Sequence, residues 1–155
     1  MISPELLRRF PFFGFMDDAQ LKAVAMISEE ISLANEETIL EADQDANALY
    51  ILTDGGASNY CVAKDSNLQG YYKEFFISDI NPGEIFGISA LIEPYLFTAT
   101  IRASDQSRAI KINASSLRAL CEVDEHLAYC LMRKTARTAI ERLYGTHTQL
   151  AAARA

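Results

Sequence analysis

The chain has 155 residues, of which half are hydrophobic and 23% are charged, as expected of a globular protein with a buried core. Charges interrupt every long apolar run, and the N-terminus lacks the basic and apolar regions of a signal peptide, so we expect a cytoplasmic protein without membrane spans. The net charge of −7, with no basic stripe, argues against a nucleic-acid partner.

Two helix starts can be recognised near the N-terminus. Ser3 and Pro4 have the pattern of an N-cap followed by proline at the first helical position, which predicts a short helix. Asp17 and Gln20 have the pattern of a capping box, which predicts a second helix of about ten residues. The run between them holds four phenylalanines, too many for an exposed loop. We therefore expect residues 1–28 to form helices around an aromatic corner.

From residue 29 to 113 the apolar pattern becomes strand-like. Short segments rich in β-branched and aromatic residues alternate with polar turns, as in antiparallel sandwiches and rolls. Glycines mark tight turns at residues 54–56 and 81–83, and residues 65–70 form a longer polar hairpin tip. The predicted strands are Ile31–Ala34, Thr38–Glu41, Ala48–Thr53, Ser58–Ala63, Tyr71–Ile80, Ala99–Ser104 and Arg108–Asn113.

The most informative pattern lies in residues 83–103. A strand-like run leads into Gly87, a short helix begins there, and a second strand follows after a brief loop. The start of a helix presents unpaired backbone N–H groups, which suits a phosphate.

After residue 113 the pattern is helical, with a short helix and then a long one that begins near His126. A stripe of four apolar residues on the long helix is predicted to pack on the β-structure: Leu127, Leu131, Ile140 and Tyr144. A second set recurs at alternating spacings of four and three, as in a heptad seam. The seam consists of Met132, Ala136, Ala139, Leu143, Thr146 and Leu150.

Few residues could hold a metal or carry out covalent catalysis. The three cysteines are scattered without a Cys-x-x-Cys pair, and both histidines, His126 and His147, lie in the long helix. Zinc and iron–sulfur sites are therefore not expected, and the thiols are interpreted as buried and reduced. No nucleophile–base pair or clustered carboxylates can be assigned to one pocket, so we do not expect an enzyme.

Residues 83–92 followed by 97–103 resemble the phosphate-binding cassette of cyclic-nucleotide-binding domains, the sensor part of the cyclic AMP receptor protein (CRP/FNR) superfamily. Residues 7–21 and 37–55 also resemble that family's opening segment and its first strands. The resemblance implies a mainly β fold, a double-stranded β-helix (β-roll or jelly roll) over residues 29–113, followed by a short and a long helix over 114–155. Glu36 and Ala42 replace two family glycines, so we expect those turns to be reshaped.

The resemblance implies a ligand, but the two residues that define that ligand are replaced. The candidate ligand-binding residues that the resemblance implies are Phe86, Gly87, Ile88, Ser89, Ala90, Phe97, Thr98, Ala99 and Thr100. In the family's motif a Glu binds the ribose 2′-hydroxyl and an Arg pairs with the cyclic phosphate, and here these positions are Ile88 and Phe97. We therefore predict a non-catalytic regulatory module without the usual high-affinity cyclic AMP binding. The alternatives are a sensor that holds a cyclic nucleotide through backbone amides and hydroxyls, a sensor for an apolar or planar effector such as haem, and a ligand-free structural or interaction module.

The resemblance also implies a homodimer in which the long helices pair about a two-fold axis through the seam. The alternative is a helix that only wraps its own domain. Family members that are transcription factors carry a DNA-binding domain after this helix, whereas this chain ends at Ala155. We therefore expect residues 1–155 to form a single sensor domain with no DNA-binding domain and no direct DNA contact.

Overall fold

The structure, a computed structural model, describes residues 1–64 and 72–155. The predicted mainly β fold with a short and a long C-terminal helix is confirmed. The described elements are α1 (Pro4–Arg8), a 3₁₀ turn (Pro11–Phe13), α2 (Asp18–Met26), β1 (Ser28–Leu33), β2 (Thr38–Leu40), β3 (Ala48–Asp54), β4 (Ala57–Lys64), β5 (Tyr72–Ile80), β6 (Ile85–Phe86), a second 3₁₀ turn (Ile88–Leu91), β7 (Thr100–Ala103), β8 (Ser107–Asn113), α3 (Ala114–Val123) and α4 (Glu125–Arg154).

The strands form two antiparallel four-stranded sheets. One has the order β1-β8-β3-β6 and the other the order β2-β7-β4-β5. Strand β3 is the central apolar element, since five consecutive residues, 48–52, are buried. The bounds of the predicted strands differ from the observed ones by at most three residues. The predicted hairpin tip at residues 65–70 lies outside the described residues.

Local hydrogen bonds explain where the first two helices begin. The Ser3 hydroxyl accepts a hydrogen bond from the Glu5 amide at 3.2 Å, as an N-cap does. Asp17 and Gln20 form the predicted capping box, in which each side chain accepts a hydrogen bond from the other residue's amide, at 2.8 and 2.9 Å. The aromatic corner between the helices is anchored by Phe13, which is buried in the core.

The Asp124 carboxylate connects the start of α4 to α2 through hydrogen bonds. Asp124 caps α4 by accepting a hydrogen bond from the Leu127 amide at 3.0 Å, and it accepts another from the Gln20 side chain at 3.0 Å. The Leu127 amide, followed by the Gln20 amide group, holds the pKa of Asp124 below its ordinary value. The same Gln20 therefore closes the α2 capping box and orients the cap of the long helix.

We expect Asp124→Ala to lower the melting temperature at neutral pH, with an effect that fades in acid. Because the folded-state pKa of Asp124 is depressed, its stabilisation is present above the unfolded pKa near 3.9 and is lost as pH falls through the folded value. Thermal unfolding of parent and variant between pH 7 and pH 2 measures this. Asp124→Asn, which keeps a capping oxygen without the charge, is the control, and a pH-independent gap between parent and Asp124→Ala would contradict the prediction.

The two turns that lack the family glycines still contain left-handed backbone. Glu36 has φ +69° and Asp43, next to Ala42, has φ +70°. Residues with a Cβ rarely adopt this region, which glycine occupies freely. At the first of these turns the glycine-like conformation is thus present without the glycine.

Two of the four residues predicted to pack α4 on the β-structure are buried, and both lie in the first part of the helix. Leu127, Leu131 and Thr135 are buried, whereas Ile140 and Tyr144 are 66% and 74% exposed, so their predicted packing on the roll is wrong. The second half of the contact is polar and consists of hydrogen bonds from Arg142 to the Ile85 carbonyl and from Gln149 to the Ile77 carbonyl. Within the described ranges there is no helix with the length and hydrophobicity needed to span a bilayer.

Candidate functional site

The turn after β6 has the geometry that the sequence predicts for residues 83–92. Gly87 has φ +76° and leads directly into the second 3₁₀ turn. A Cβ added to Gly87 would lie 3.2 Å from the Ala48 carbonyl oxygen and 3.3 Å from ring atoms of Tyr50 and Phe97. The positive φ therefore favours glycine here, and a larger residue would also have to displace its neighbours slightly.

A cavity of about 240 Å³ lies beside this turn. It is bounded by the β2-β7-β4-β5 sheet on one side and by α4 on the other. Six of the predicted ligand residues contribute to it: Gly87, Ile88, Ser89, Phe97, Thr98 and Ala99. The remaining wall is formed by Leu40, Asn59, Ile101, Ala139 and Arg142. Whether these residues bind a ligand stays a prediction.

The other three predicted residues, Phe86, Ala90 and Thr100, do not contribute to the cavity wall. Phe86 is fully buried and its ring stacks on Tyr50 at 5.0 Å. Ala90 is also fully buried, and its amide already donates to the Gly87 carbonyl at 3.1 Å, so it is not a free donor for an anion. The Thr100 hydroxyl accepts a hydrogen bond from the Ala42 amide at 3.1 Å. These residues support the walls.

The two positions that depart from the family's motif are both filled by apolar side chains. Phe97 is only 5% exposed, and its backbone is held on both sides, since its amide donates to Gln44 at 3.0 Å and its carbonyl accepts from Asp43 at 2.8 Å. Ile88 is half-buried and packs against the core. The cavity is thus apolar on the side where a cyclic phosphate would need a cation.

A second arginine fixes the loop between the 3₁₀ turn and Phe97. Arg118 of α3 donates to the Ala90 carbonyl at 2.6 Å, and its guanidinium lies 4.0 Å from the centroid of the Tyr95 ring. Tyr95 has φ +59°, an uncommon conformation for a bulky residue. The cation–π contact and the charged hydrogen bond together hold this loop against α3.

Two polar residues in the cavity were missed by sequence reading. Asn59 of β4 is 8% exposed, and its Oδ1 atom has no hydrogen-bond partner in the described residues. Arg142 is half-buried and reaches the cavity from α4 while donating to the Ile85 carbonyl. Burial lowers the pKa of Arg142, and the carboxylates of Glu84 and Glu141 act in the opposite direction.

A wider cleft of about 450 Å³ lies on the other side of Arg142, between α4, β5 and the turn before β6. Its wall includes the carboxylates of Asp79, Glu84 and Glu141. The larger volume does not make it the better site, because none of the predicted ligand residues contributes to it. Among residues 1–64 and 72–155, no cluster of three or more His, Cys, Asp or Glu side chains could hold a metal.

Residues 30–124 match the family model of the cyclic nucleotide-binding domain. The structure is similar to that of a Geobacter metallireducens GS-15 protein named as a candidate cyclic nucleotide-binding protein, with 36% identity, a TM-score of 0.77 and coverage of 92% of this chain and 99% of that one. It is also similar to the N-terminal domain of a Streptomyces coelicolor A3(2) transcriptional regulator, with 25% identity, a TM-score of 0.66 and coverage of 88% and 93%.

The fold is shared more widely at lower identity. The sensor domain of the transcriptional regulator DNR from Pseudomonas aeruginosa has a TM-score of 0.69 at 19% identity, with coverage of 88% of this chain and 92% of that one. No curated protein matches the chain.

Proposed function

Because the chain belongs to the cyclic nucleotide-binding domain family, we propose that it is a non-catalytic regulatory sensor module whose pocket no longer recognises cyclic AMP in the family's usual way. Residues 1–155 act as one sensor domain that does not itself contact DNA, in keeping with the net charge of −7. The observation that carries the proposal is the buried Phe97 at the position of the family's phosphate-binding Arg.

The energetic consequence of this replacement is large. A cyclic phosphate carries a full negative charge, and losing the bidentate guanidinium beside the 3₁₀ turn forfeits about 4 kcal/mol, or roughly a thousandfold in affinity. Arg142 does not replace it in that position, because it enters the cavity from α4. Ile88 likewise offers no acceptor to a ribose hydroxyl. The cavity of about 240 Å³ is also smaller than the pockets of about 300–1,000 Å³ that take drug-sized ligands. Both effects act against a whole cyclic nucleotide.

The alternatives are less well supported. Haem needs an axial ligand, yet no His, Cys or Met belongs to the described cavity wall. His126 instead contacts Gln20 at 3.4 Å and the Cys130 sulfur at 3.6 Å, at the start of α4. A ligand-free module would be expected to fill its pocket, and here an open cavity and an unpaired buried oxygen remain.

We also propose that the module is a cytoplasmic homodimer through α4. The seam residues Ala136, Ala139, Leu143, Thr146 and Leu150 are exposed in the single chain, while Met132 is half-buried against the core. Leu143 and Leu150 remain 54% and 50% exposed, which favours a partner helix over a helix that only wraps its own domain. The three free cysteines suit a reducing compartment.

Titration calorimetry with cyclic AMP and cyclic GMP, at protein concentrations that detect millimolar affinity, tests the pocket. We expect no binding below about 1 mM, since the lost ion pair weakens affinity roughly a thousandfold. Micromolar binding of either nucleotide would overturn the proposal, because it would require an anion site that does not depend on the Glu and Arg positions.

A further inference from the structure

We infer that the cavity beside Gly87 takes a small organic carboxylate that also carries a hydroxyl or amino hydrogen-bond donor, held by Arg142 and Asn59. The inference rests on the proposed function, since it names the ligand class of the same pocket. Two polar groups of opposite character line one small cavity. The buried Asn59 Oδ1 atom has no hydrogen-bond partner among the described residues, and Arg142, which is half-buried, makes a single hydrogen bond there and no salt bridge.

The unpaired oxygen of Asn59 requires a hydrogen-bond donor on the ligand. Asn59 is the third residue of β4, two residues after the fully buried Ala57 and directly before the register shift between residues 59 and 60. The Oδ1 atom is removed from solvent and has no hydrogen-bond partner in the described residues. A buried acceptor without a donor is costly, whereas a ligand N–H or O–H would satisfy it.

The guanidinium of Arg142 favours an anionic group on the ligand. Its guanidinium offers five N–H donors, and its one hydrogen bond in the described ranges is to the Ile85 carbonyl. No carboxylate lies within salt-bridge distance of it among those residues, although Glu84 and Glu141 are near enough to influence its charge from the opposite cleft. A guanidinium withdrawn in part from solvent is favoured by an anionic partner, and a carboxylate is its best-matched bidentate partner.

Size and wall chemistry narrow the ligand further. A volume of about 240 Å³ accommodates a molecule of roughly ten heavy atoms, below the range of drug-sized ligands. The wall includes four large apolar side chains, Leu40, Ile88, Phe97 and Ile101, which suit a short hydrocarbon or ring between the two polar groups, and Ser89 and Thr98 add hydroxyl groups. The cation comes from α4, so a bound carboxylate would contact the long helix directly.

The experiment titrates the full chain with lactate, 3-hydroxybenzoate and 4-hydroxybenzoate, followed by ¹H–¹⁵N spectra that include the Asn59 side-chain amide and the Arg142 Nε–H. Benzoate lacks the donor, and methyl 4-hydroxybenzoate lacks the charge. We expect saturable binding of at least one hydroxy acid at or below about 10 mM, with both Asn59 and Arg142 signals shifting. The two matched analogues should bind at least about tenfold more weakly.

Two variants test whether Arg142 recognises the carboxylate and whether Asn59 recognises the hydroxyl group. Arg142→Gln should abolish the preference for acid over ester, while Arg137→Gln, which removes the same charge from an exposed position on the same helix, should keep it. Asn59→Leu should abolish the preference for hydroxybenzoate over benzoate. Asn59→Ala, which also removes the acceptor, replaces it if thermal unfolding shows that the leucine variant does not fold.

The outcomes separate this inference from the proposed function. Absence of saturable binding for all three hydroxy acids, or equal affinity for the analogues, would overturn the ligand class and leave the proposed function standing if cyclic AMP also fails to bind. Micromolar cyclic AMP binding would overturn the proposed function itself. Unchanged preferences in Arg142→Gln and Asn59→Leu would show that binding occurs elsewhere on the protein.

Discussion

The double variant Ile88→Glu/Phe97→Arg is expected to bind cyclic AMP about a thousandfold more tightly than the parent protein. The backbone that the ligand needs is already present, since Gly87 has φ +76° and opens directly into the 3₁₀ turn. The Phe97 ring lies against this turn, with its Cε1 atom 3.3 Å from the place of a Gly87 Cβ. Its removal opens the cavity, and the new guanidinium restores the ion pair. Calorimetry with cyclic AMP measures the gain.

A control variant separates the effect of the enlarged cavity on cyclic AMP affinity from the effect of the added charge. Phe97→Ala opens the same region without a cation and should gain no cyclic AMP affinity. A guanidinium at a position that is 5% exposed destabilises the fold until the ligand is bound, so circular dichroism and ligand-dependent thermal unfolding accompany the titration. A folded double variant that does not bind would mean that α4, through Arg142 and Ala139, closes the pocket to a nucleotide.

The fold could be predicted from sequence because its signals are local. The capping box of Asp17 and Gln20 lies within four residues, and each strand is a short segment rich in β-branched and aromatic residues between polar turns. The packing face of α4 depended on more than hydropathy. Apolar periodicity favoured Ile140 and Tyr144, yet Thr135 is the residue buried one turn after Leu131, and Arg142 continues the contact through a hydrogen bond to a carbonyl.

The candidate site was predictable only where it is contiguous in sequence. Gly87 and Phe97 belong to one recognisable segment, and their neighbours were found with them. Asn59 and Arg142 lie far from that segment in the chain, and sheet pairing and helix packing bring them to it. Whether the Asn59 Oδ1 atom finds a hydrogen-bond partner depends on the tertiary structure, so the neighbouring sequence does not reveal that it is unpaired. The sequence likewise does not show that the Ala90 amide donates to the Gly87 carbonyl within the 3₁₀ turn.

Leu143→Asp is expected to convert the proposed dimer into a folded monomer. In helices paired about a two-fold axis the seam residues face each other, so each dimer would enclose two carboxylates without partners, which weakens association by about 3–5 kcal/mol, or at least about a hundredfold. The monomer should keep its fold, because Leu143 is 54% exposed in the single chain. Sedimentation equilibrium across micromolar concentrations measures the mass, and circular dichroism measures the helix content.

Thr148→Asp is the control for Leu143→Asp: it adds the same charge to an exposed position of α4 outside the seam and should remain dimeric. An unchanged mass for Leu143→Asp, or a monomeric parent, would contradict pairing through this seam.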